Sequence, residues 1–515
     1  MNTNPAYHAH ASSPVELDVQ DIQSFILNPV AFPFARYCFF TFGDAAGGRA
    51  FIAELARQVT DAVHNCPEPG APRTETKGWE ISVALSYAGL EALDLPARTL
   101  ATFPLEFAQG MRARARDLLV DRGESDPALW EDMWKDDSVH AWVAIQTTTL
   151  LGKDKGDPPL VEGIAKREQL HAIILDSARR NNVTQRAHQD AGALVVDSSG
   201  MPTDREHFGY SDGIGNPDIR GAGWPSPPGS GKMTKNGWEP LAPGEFVLGH
   251  SDEAGEMPVA PQPFGFSRNG SYLVYRKLHE NVGAFRRWLQ DEGPKYPGGS
   301  ELLAAKLIGR FRDGTPLVTS PDAPLNVTAA NRADADFAPT LTDFTYAGDP
   351  EGSRCPMGAH IRRMNPRDSL GFDGVLVNRR RIIRRGLPYG QWVPEDTPPD
   401  VTDELDRYSD ESPSRHGVIF MAVNASIERQ FEFVQREWMN YGNDFRQGND
   451  RDPLLGNREG HSRFVVQGDA SSGHTKPMHI CRGLPQFITT RGGAYFFMPS
   501  ITALGMIGAG TVEIS

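Results

Sequence analysis

Two stretches of strand-like and helix-like sequence, divided by one that suits neither, constrain the fold of this 515-residue chain more than any other feature. ARYCFFTFGD (35–44), ISVALSYAGLEAL (81–93), HAWVAIQTTT (140–149) and LHAIILDS (170–177) contain short apolar runs that read as strands, the second running into a helix. After the first of them, Phe51, Leu55, Val59 and Val63 recur every fourth residue, which predicts a helix face. The alternation stops near residue 200, and WPSPPGSGKMTKNGWEPLAPGEF (224–246), dense in Pro, Gly and Ser, predicts a surface excursion. It then restarts. GSYLVYRKL (270–278) reads as a strand, Val282, Phe285, Trp288 and Leu289 as a helix face, and GVIFMAVNASIERQFEFVQREW (417–438) as strand into helix. ALSYAGLE (84–91) is similar to AVNASIE (422–428). A duplicated α+β unit leaves such an echo, and so do two ordinary strand–helix turns.

A chain of this length exceeds what one core accommodates. The pattern divides it into a flexible N-terminus (1–25), a first domain (26–200), a connecting region (201–262) and a second domain (263–515). The net charge of −14 argues against a nucleic-acid or anionic-membrane partner. Cys38, Cys66, Cys355 and Cys481 are scattered without C-x-x-C spacing, so neither a disulfide scaffold nor a structural zinc site is expected. The N-terminus lacks a basic segment followed by an apolar core, and no apolar run reaches membrane-spanning length. The expectation is a cytoplasmic protein. The acidic DTPPDVTDELDRYSDESPSR (396–415) reads as a solvated insertion, and the polar loop 442–461 carries the buried-type residues Leu454 and Leu455.

Two segments carry chemistry. In HFGYSDGIGNP (207–217), Gly209 to Gly213 fit the G-x-S-x-G pattern of serine hydrolases, which poses a choice between Ser211 and Asp212 as the reactive group. A nucleophile elbow needs a strand before the serine and a helix after it. Here the flanks are polar and broken by Pro202, Gly215, Pro217 and Gly221. In that loop Asp212 is either a carboxylate held at the lip of a cavity or an Asx-turn residue. In CPMGAHIRRMNPR (355–367), His360 stands before Arg362, Arg363 and Arg367. Neighbouring cations disfavour imidazolium, so His360 is available as a neutral ligand. The arginines suit anionic groups such as porphyrin propionates. Cys355 offers a competing thiolate ligand. A second basic cluster, NRRRIIRRGLPYG, spans 378–390.

Together these stretches resemble the dye-decolorizing peroxidases. GYSDGIGNP matches that family's G-x-x-D-G motif, CPMGAHIRRMNPR its proximal histidine segment, and IIRRGLPYG its distal arginine segment. GVIFMAVNASIERQFEFVQREW and RGGAYFFMPSI (491–501) are similar to its late strands and helix. The resemblance spans about residues 30–505. It implies an α+β fold of two ferredoxin-like units with antiparallel sheets, a dimeric α+β barrel-like arrangement, with haem b, one per chain, in the C-terminal unit. It implies His360 as iron ligand, Asp212 as acid/base and Arg384 as the distal arginine. Val418 and Phe420 match apolar positions near the haem, Arg362 and Arg367 are propionate candidates, and Asp452 in RDPLLG is a candidate partner for His360. The implied activity is reduction of hydrogen peroxide and oxidation of aromatic dyes or phenolic reductants through a ferryl haem. The alternative is a haem-binding or haem-handling protein without turnover. A homo-oligomer is compatible with either. Tyr389 and Trp392 are candidate surface relays for electrons from bulky reductants.

Overall fold

A computed structural model describes residues 17–27, 32–63, 78–148, 159–194, 203–223, 228–332, 334, 336–394, 396–407, 414–468 and 477–513. The first half contributes β1 (Phe34–Phe42), β2 (Trp79–Leu85), β3 (Ala141–Thr147) and β4 (Val183–Gly192). A hairpin of β5 (Lys232–Thr234) and β6 (Gly237–Glu239) follows. The second half contributes β7 (Ser271–Glu280), β8 (Ile383–Arg384), β9 (Leu387–Gly390) and β10 (His416–Asn424). After the small pair β11 (Phe464–Val466) and β12 (His479–Cys481), β13 (Ile488–Met498) closes the fold.

One nine-stranded sheet runs in the order β4-β1-β3-β2-β13-β7-β10-β8, with β9 also on β10. Each half uses its own four strands in the spatial order fourth, first, third, second, and every pairing is antiparallel. This is the ferredoxin-like arrangement, made twice and joined edge to edge where Phe497 on β13 meets Leu85 on β2. The duplication is real, but the segments that suggested it are not equivalent: 84–91 follows the second strand of its unit and 422–428 the third. Both read alike because any strand that feeds a helix through a tight turn needs small and capping residues there. In the first case Ser86 caps the helix Tyr87–Ala92 by accepting the N–H of Gly89.

Central strands are buried on both faces. All ten residues of β7 are buried, as are all seven of β3. Neither sequence alternates apolar with polar: β3 is apolar from Ala141 to Ile145, and β7 buries Arg276, Lys277, His279 and Glu280 along with its apolar residues. LHAIILDS is not a strand. It lies in the helix Pro159–Arg180, where Leu170, Ile174 and Ala178 are buried at four-residue spacing while Ile173 is 47% exposed. A four-residue apolar run at the crest of an amphipathic helix imitates a buried strand. The helix carrying Phe51 and Leu55 ends at Ala56, and Val63 is exposed.

Residues 1–16 of the expected flexible N-terminus lie outside the described residues, but Leu17, Ile22 and Phe25 are already core residues. The Pro-rich stretch after 224 is only partly an excursion. Residues 224–227 are outside the description, the hairpin is half-exposed, and Leu241, Phe246, Val247 and Leu248 are fully buried. The acidic insertion, described outside 408–413, is not merely solvated. Its helix Pro399–Asp406 packs on the helix Val282–Glu292, and Asp406 Oδ2 accepts the N–H groups of Gly283 (2.8 Å) and Ala284 (3.2 Å).

Candidate active site

The segment after residue 203 is shaped by its own polar groups. Glu206 accepts the backbone N–H of Phe208 through Oε2 (2.7 Å) and that of Tyr210 through Oε1 (2.8 Å). Gly209 and Gly213 adopt φ of 92° and 77°, left-handed values that residues with a Cβ rarely take. The chain can thus reverse twice and carry Asp212 to a cavity wall. Arg384, on β8, donates from Nη1 to Asp212 Oδ1 (2.6 Å) and from Nη2 to the carbonyl of Ile214 (2.9 Å). Asn216 clamps the Arg384 backbone, donating to its carbonyl (3.1 Å) and accepting its N–H (3.0 Å). The Asp212 side chain is 45% exposed and lines the cavity. Burial works against its charge. The Arg384 guanidinium, the Gly213 N–H and the His360 imidazole outweigh burial and hold the carboxyl below the usual carboxylate range.

His360 opens the short helix His360–Met364. The helix Gly299–Ile308 ends at Gly309 (φ 98°), where a Cβ would come within 2.4 Å of Ile361. This close approach seats the turn that presents His360. Its Nδ1 lies 2.9 Å from Oδ2 of Asp452, a fully buried carboxylate whose other oxygen accepts the N–H groups of Leu454 and Leu455 (2.9 Å each). Burial would raise the pKa of Asp452, but His360, the Leu455 N–H and Arg363 bring it down to about 2. An ionised carboxylate only accepts, so Nδ1 carries a proton, and in the neutral ring the lone pair is then on Nε2.

His360, Asp212, Arg384, Val418 and Phe420 line a single cavity. Most of its wall comes from the second half and the 206–215 loop, with Val120, Asp121 and Ser125 contributed by the first half. Four further arginines line it, of which Arg276 is paired with Asp121 (2.5 Å), leaving three. Arg310 donates to the carbonyls of Gly314 and Leu341 (2.8 Å each), Arg367 to that of Phe344 (2.7 Å), and Arg381 to those of Gly231 (3.4 Å) and Gly215 (3.2 Å). Among the described residues, none of the three forms an ion pair with a carboxylate. Burial, reinforced by neighbouring guanidiniums, pushes Arg310 down to about 10 and Arg381 to about 9; burial also lowers Arg367. Buried cations without counter-charge are costly. An apolar chamber with one imidazole lone pair and three uncompensated guanidiniums fits a flat, iron-bearing ligand with two carboxylates, which is haem.

Other expected residues lie elsewhere. Arg362 does not face the cavity. It is fully buried against Asp349 (3.2 Å) and the carbonyl of Cys355 (2.8 Å), with its guanidinium over the Tyr346 ring, so it pins the turn rather than meeting a ligand. The Cys355 thiol is fully buried away from the cavity lining and burial pushes it up to about 12, so it offers no thiolate. Ser211 Oγ donates to Asp204 (3.1 Å) and accepts from Arg332 (3.0 Å), with no imidazole among its partners, so the hydrolase reading fails. Tyr389 is buried, its hydroxyl bonded to Ser414, so it is no surface relay. Trp392 is half-buried, its ring stacked 6.3 Å from that of His207. Sequence reasoning missed Arg310, Arg381, Glu206 and Glu280. Arg381 stood inside a noted basic cluster, whereas nothing local distinguishes the other three.

A double ferredoxin-like fold, with an imidazole, an aspartate–arginine pair and guanidiniums without counter-charge on one cavity, defines a haem peroxidase. No family model matches the chain. Among known proteins it is 31% identical to the multifunctional dye peroxidase DyP2 of Amycolatopsis, over 90% of each chain. It is 29% identical to the dye-decolorizing peroxidase msp1 of Mycetinis scorodonius, over 96% of this chain and 88% of that one. The fold superposes on a fungal DyP-type peroxidase from Auricularia auricula-judae with a TM-score of 0.73 at 24% identity, covering 97% and 100% of the two chains. On Amycolatopsis DyP2 the TM-score is 0.70 at 25% identity, covering 94% and 95%. The chain belongs to the dye-decolorizing peroxidase family and is a haem-dependent oxidoreductase that uses peroxide.

Proposed function

We propose that this chain reduces hydrogen peroxide with one haem b and oxidises aromatic dyes and phenolic reductants. The observation that carries this reading is the convergence of His360 and the Asp212–Arg384 pair on one cavity. His360 would supply the iron ligand, with its ring orientation and tautomer set by Asp452. Arg310, Arg367 and Arg381 would hold the propionates, and Val418 and Phe420 would pack on the macrocycle. When bound, haem supplies the redox-active iron that passes electrons from the reductant to peroxide. Asp212, ionised at neutral pH, takes a proton from one peroxide oxygen and returns it to the other, which leaves as water. Arg384 stays charged and stabilises negative charge on that departing oxygen.

Relatives named as dye peroxidases, and a related structure described as a complex with 2,6-dimethoxyphenol, support the choice of reductants. Trp392 is the residue by which reductants too large for the cavity would deliver electrons. The acidic charge supports small-molecule partners over nucleic acid, and among the described residues no helix is long and apolar enough to cross a membrane.

The test is the visible spectrum of the purified chain before and after one equivalent of peroxide, with steady-state dye oxidation alongside. A Soret band, a peroxide-dependent spectral change and dye turnover are expected, and His360→Ala should lose the band. Haem binding without turnover at any pH would favour the haem-handling alternative.

A further inference from the structure

The wall of the cavity contains a second pair of carboxyl groups that the reading above does not use. Glu280 ends β7, between Ile488 on β13 and the His416 side chain on β10, whose Nε2 lies 2.9 Å from its carbonyl oxygen. Glu280 is 3% exposed, and its carboxyl lies against the Glu206 carboxyl and the backbone of His207. Both residues line the cavity. Glu280 Oε2 is buried and has no donor partner among the described residues.

Among the described residues neither carboxyl forms an ion pair: Arg276, which shares the cavity wall, is bound to Asp121 (2.5 Å), and Arg286 and Arg491 lie near His207 and His279. From its own loop the pair faces His207 and Asp212, from β7 His279, and from β10 His416. Arg384 on β8 is engaged by Asp212. Burial drives His207 down to about 3 and His279 to about 4, with His416 adding to both, so these two rings are neutral at working pH. Two buried carboxyls in contact cannot both ionise, so they share a proton. The surroundings decide where it sits. Glu206 accepts two backbone N–H bonds, which favour its charged form, whereas Glu280 Oε2 has no donor among the described residues. Burial and the neighbouring carboxylate push Glu280 well above the ordinary range. Burial also lifts Glu206, to about 7, although the N–H bonds and Glu280 as donor restrain it.

We propose that Glu280, as the neutral acid, and Glu206, as the carboxylate, form a proton-sharing pair that fixes the turn carrying Asp212 and stores a proton for the peroxide cavity. This inference rests on the peroxidase reading. The overall balance is one hydrogen peroxide, two electrons from the aromatic reductant and two protons giving two waters. Two protons must therefore enter the cavity in each cycle. Glu280 is the buried acid placed to deliver one, after which it is reprotonated from solvent. Glu206 is a positioning residue, since the bonds it accepts from Phe208 and Tyr210 shape the loop two residues before Asp212.

The test uses the full-length holoprotein. Infrared spectra of protein labelled with 13C-glutamate should show an isotope-shifted carboxylic-acid C=O band at pH 7 that disappears in Glu280→Gln. Absence of that band in the wild type overturns the proposal. Glu280→Gln keeps a donor toward Glu206 and should retain the wild-type Soret band and melting behaviour. Its kcat for dye oxidation at neutral pH should fall by about tenfold or more, with KM for peroxide unchanged. A wild-type kcat and pH profile in this variant would overturn the storage role. If the variant does not fold, the infrared band of the labelled wild type decides. Absence of the band from a wild type with intact haem binding and turnover would sink this inference alone. Absence of turnover in the wild type would instead sink the peroxidase reading.

Discussion

Replacing Asp452 by Asn tests how the protein sets the imidazole. Oδ1 of Asp452 is fixed by the N–H groups of Leu454 and Leu455, at 2.9 Å each. In Asp452→Asn the amide oxygen must stay on those donors, or two buried N–H groups lose their partner. The amide NH2 then points at His360 Nδ1, which becomes an acceptor. The proton moves to Nε2, and the lone pair that faces the cavity is lost. To bind iron the variant must reverse this tautomer or break the Leu454 and Leu455 bonds. A buried hydrogen bond to a charged acceptor contributes about 1.5–3 kcal/mol, so haem affinity should fall roughly 10- to 100-fold. Titrating apoprotein with haemin and following the Soret band measures this directly. Circular dichroism of the apoprotein shows whether the fold survives, as expected for an isosteric change. Wild-type affinity together with a wild-type spectrum would refute the argument, because Asp452 would then not control the tautomer.

Three other perturbations separate the remaining roles. In Arg384→Leu, burial of Asp212 goes unopposed by its main cation, so its pKa rises. The carboxylate acts as a base only above that pKa, so the acid limb of kcat/KM for peroxide should move to higher pH, with a loss of about 100-fold or more at neutral pH. An unmoved limb would count against the pairing. Arg381→Leu removes a desolvated cation lacking a counter-charge, so the apoprotein should melt no lower than wild type while haem binding weakens about tenfold. Asp406→Ala strips two N–H bonds from the start of the helix Val282–Glu292 and should cost about 1 kcal/mol in chemical denaturation, without altering the haem spectrum.

What the residues determine by themselves is local. The glycines around Asp212, the turn that presents His360 and the clustered arginines after 378 are each a property of a few neighbours along the chain. Their chemistry could be read before any fold was known. β3 was equally plain, because its apolar run from Ala141 to Ile145 is continuous. The 170–177 run misled because four apolar residues on a helix and four in a strand look alike until the whole 22-residue helix is seen.

Only the tertiary structure joined groups far apart in sequence. Asp452 meets His360 across 92 positions and Arg384 meets Asp212 across 172. It turned Arg362 away from the cavity toward Asp349 and brought Arg310 and Arg381 in instead. It also pressed Glu280, at the end of a strand, against Glu206, in a loop. The physical reason is that charge and proton affinity depend on burial and on partners in space. Sequence supplies the groups, while the closing of one antiparallel sheet over a shared chamber decides which of them must share a proton, give up a partner or face a ligand.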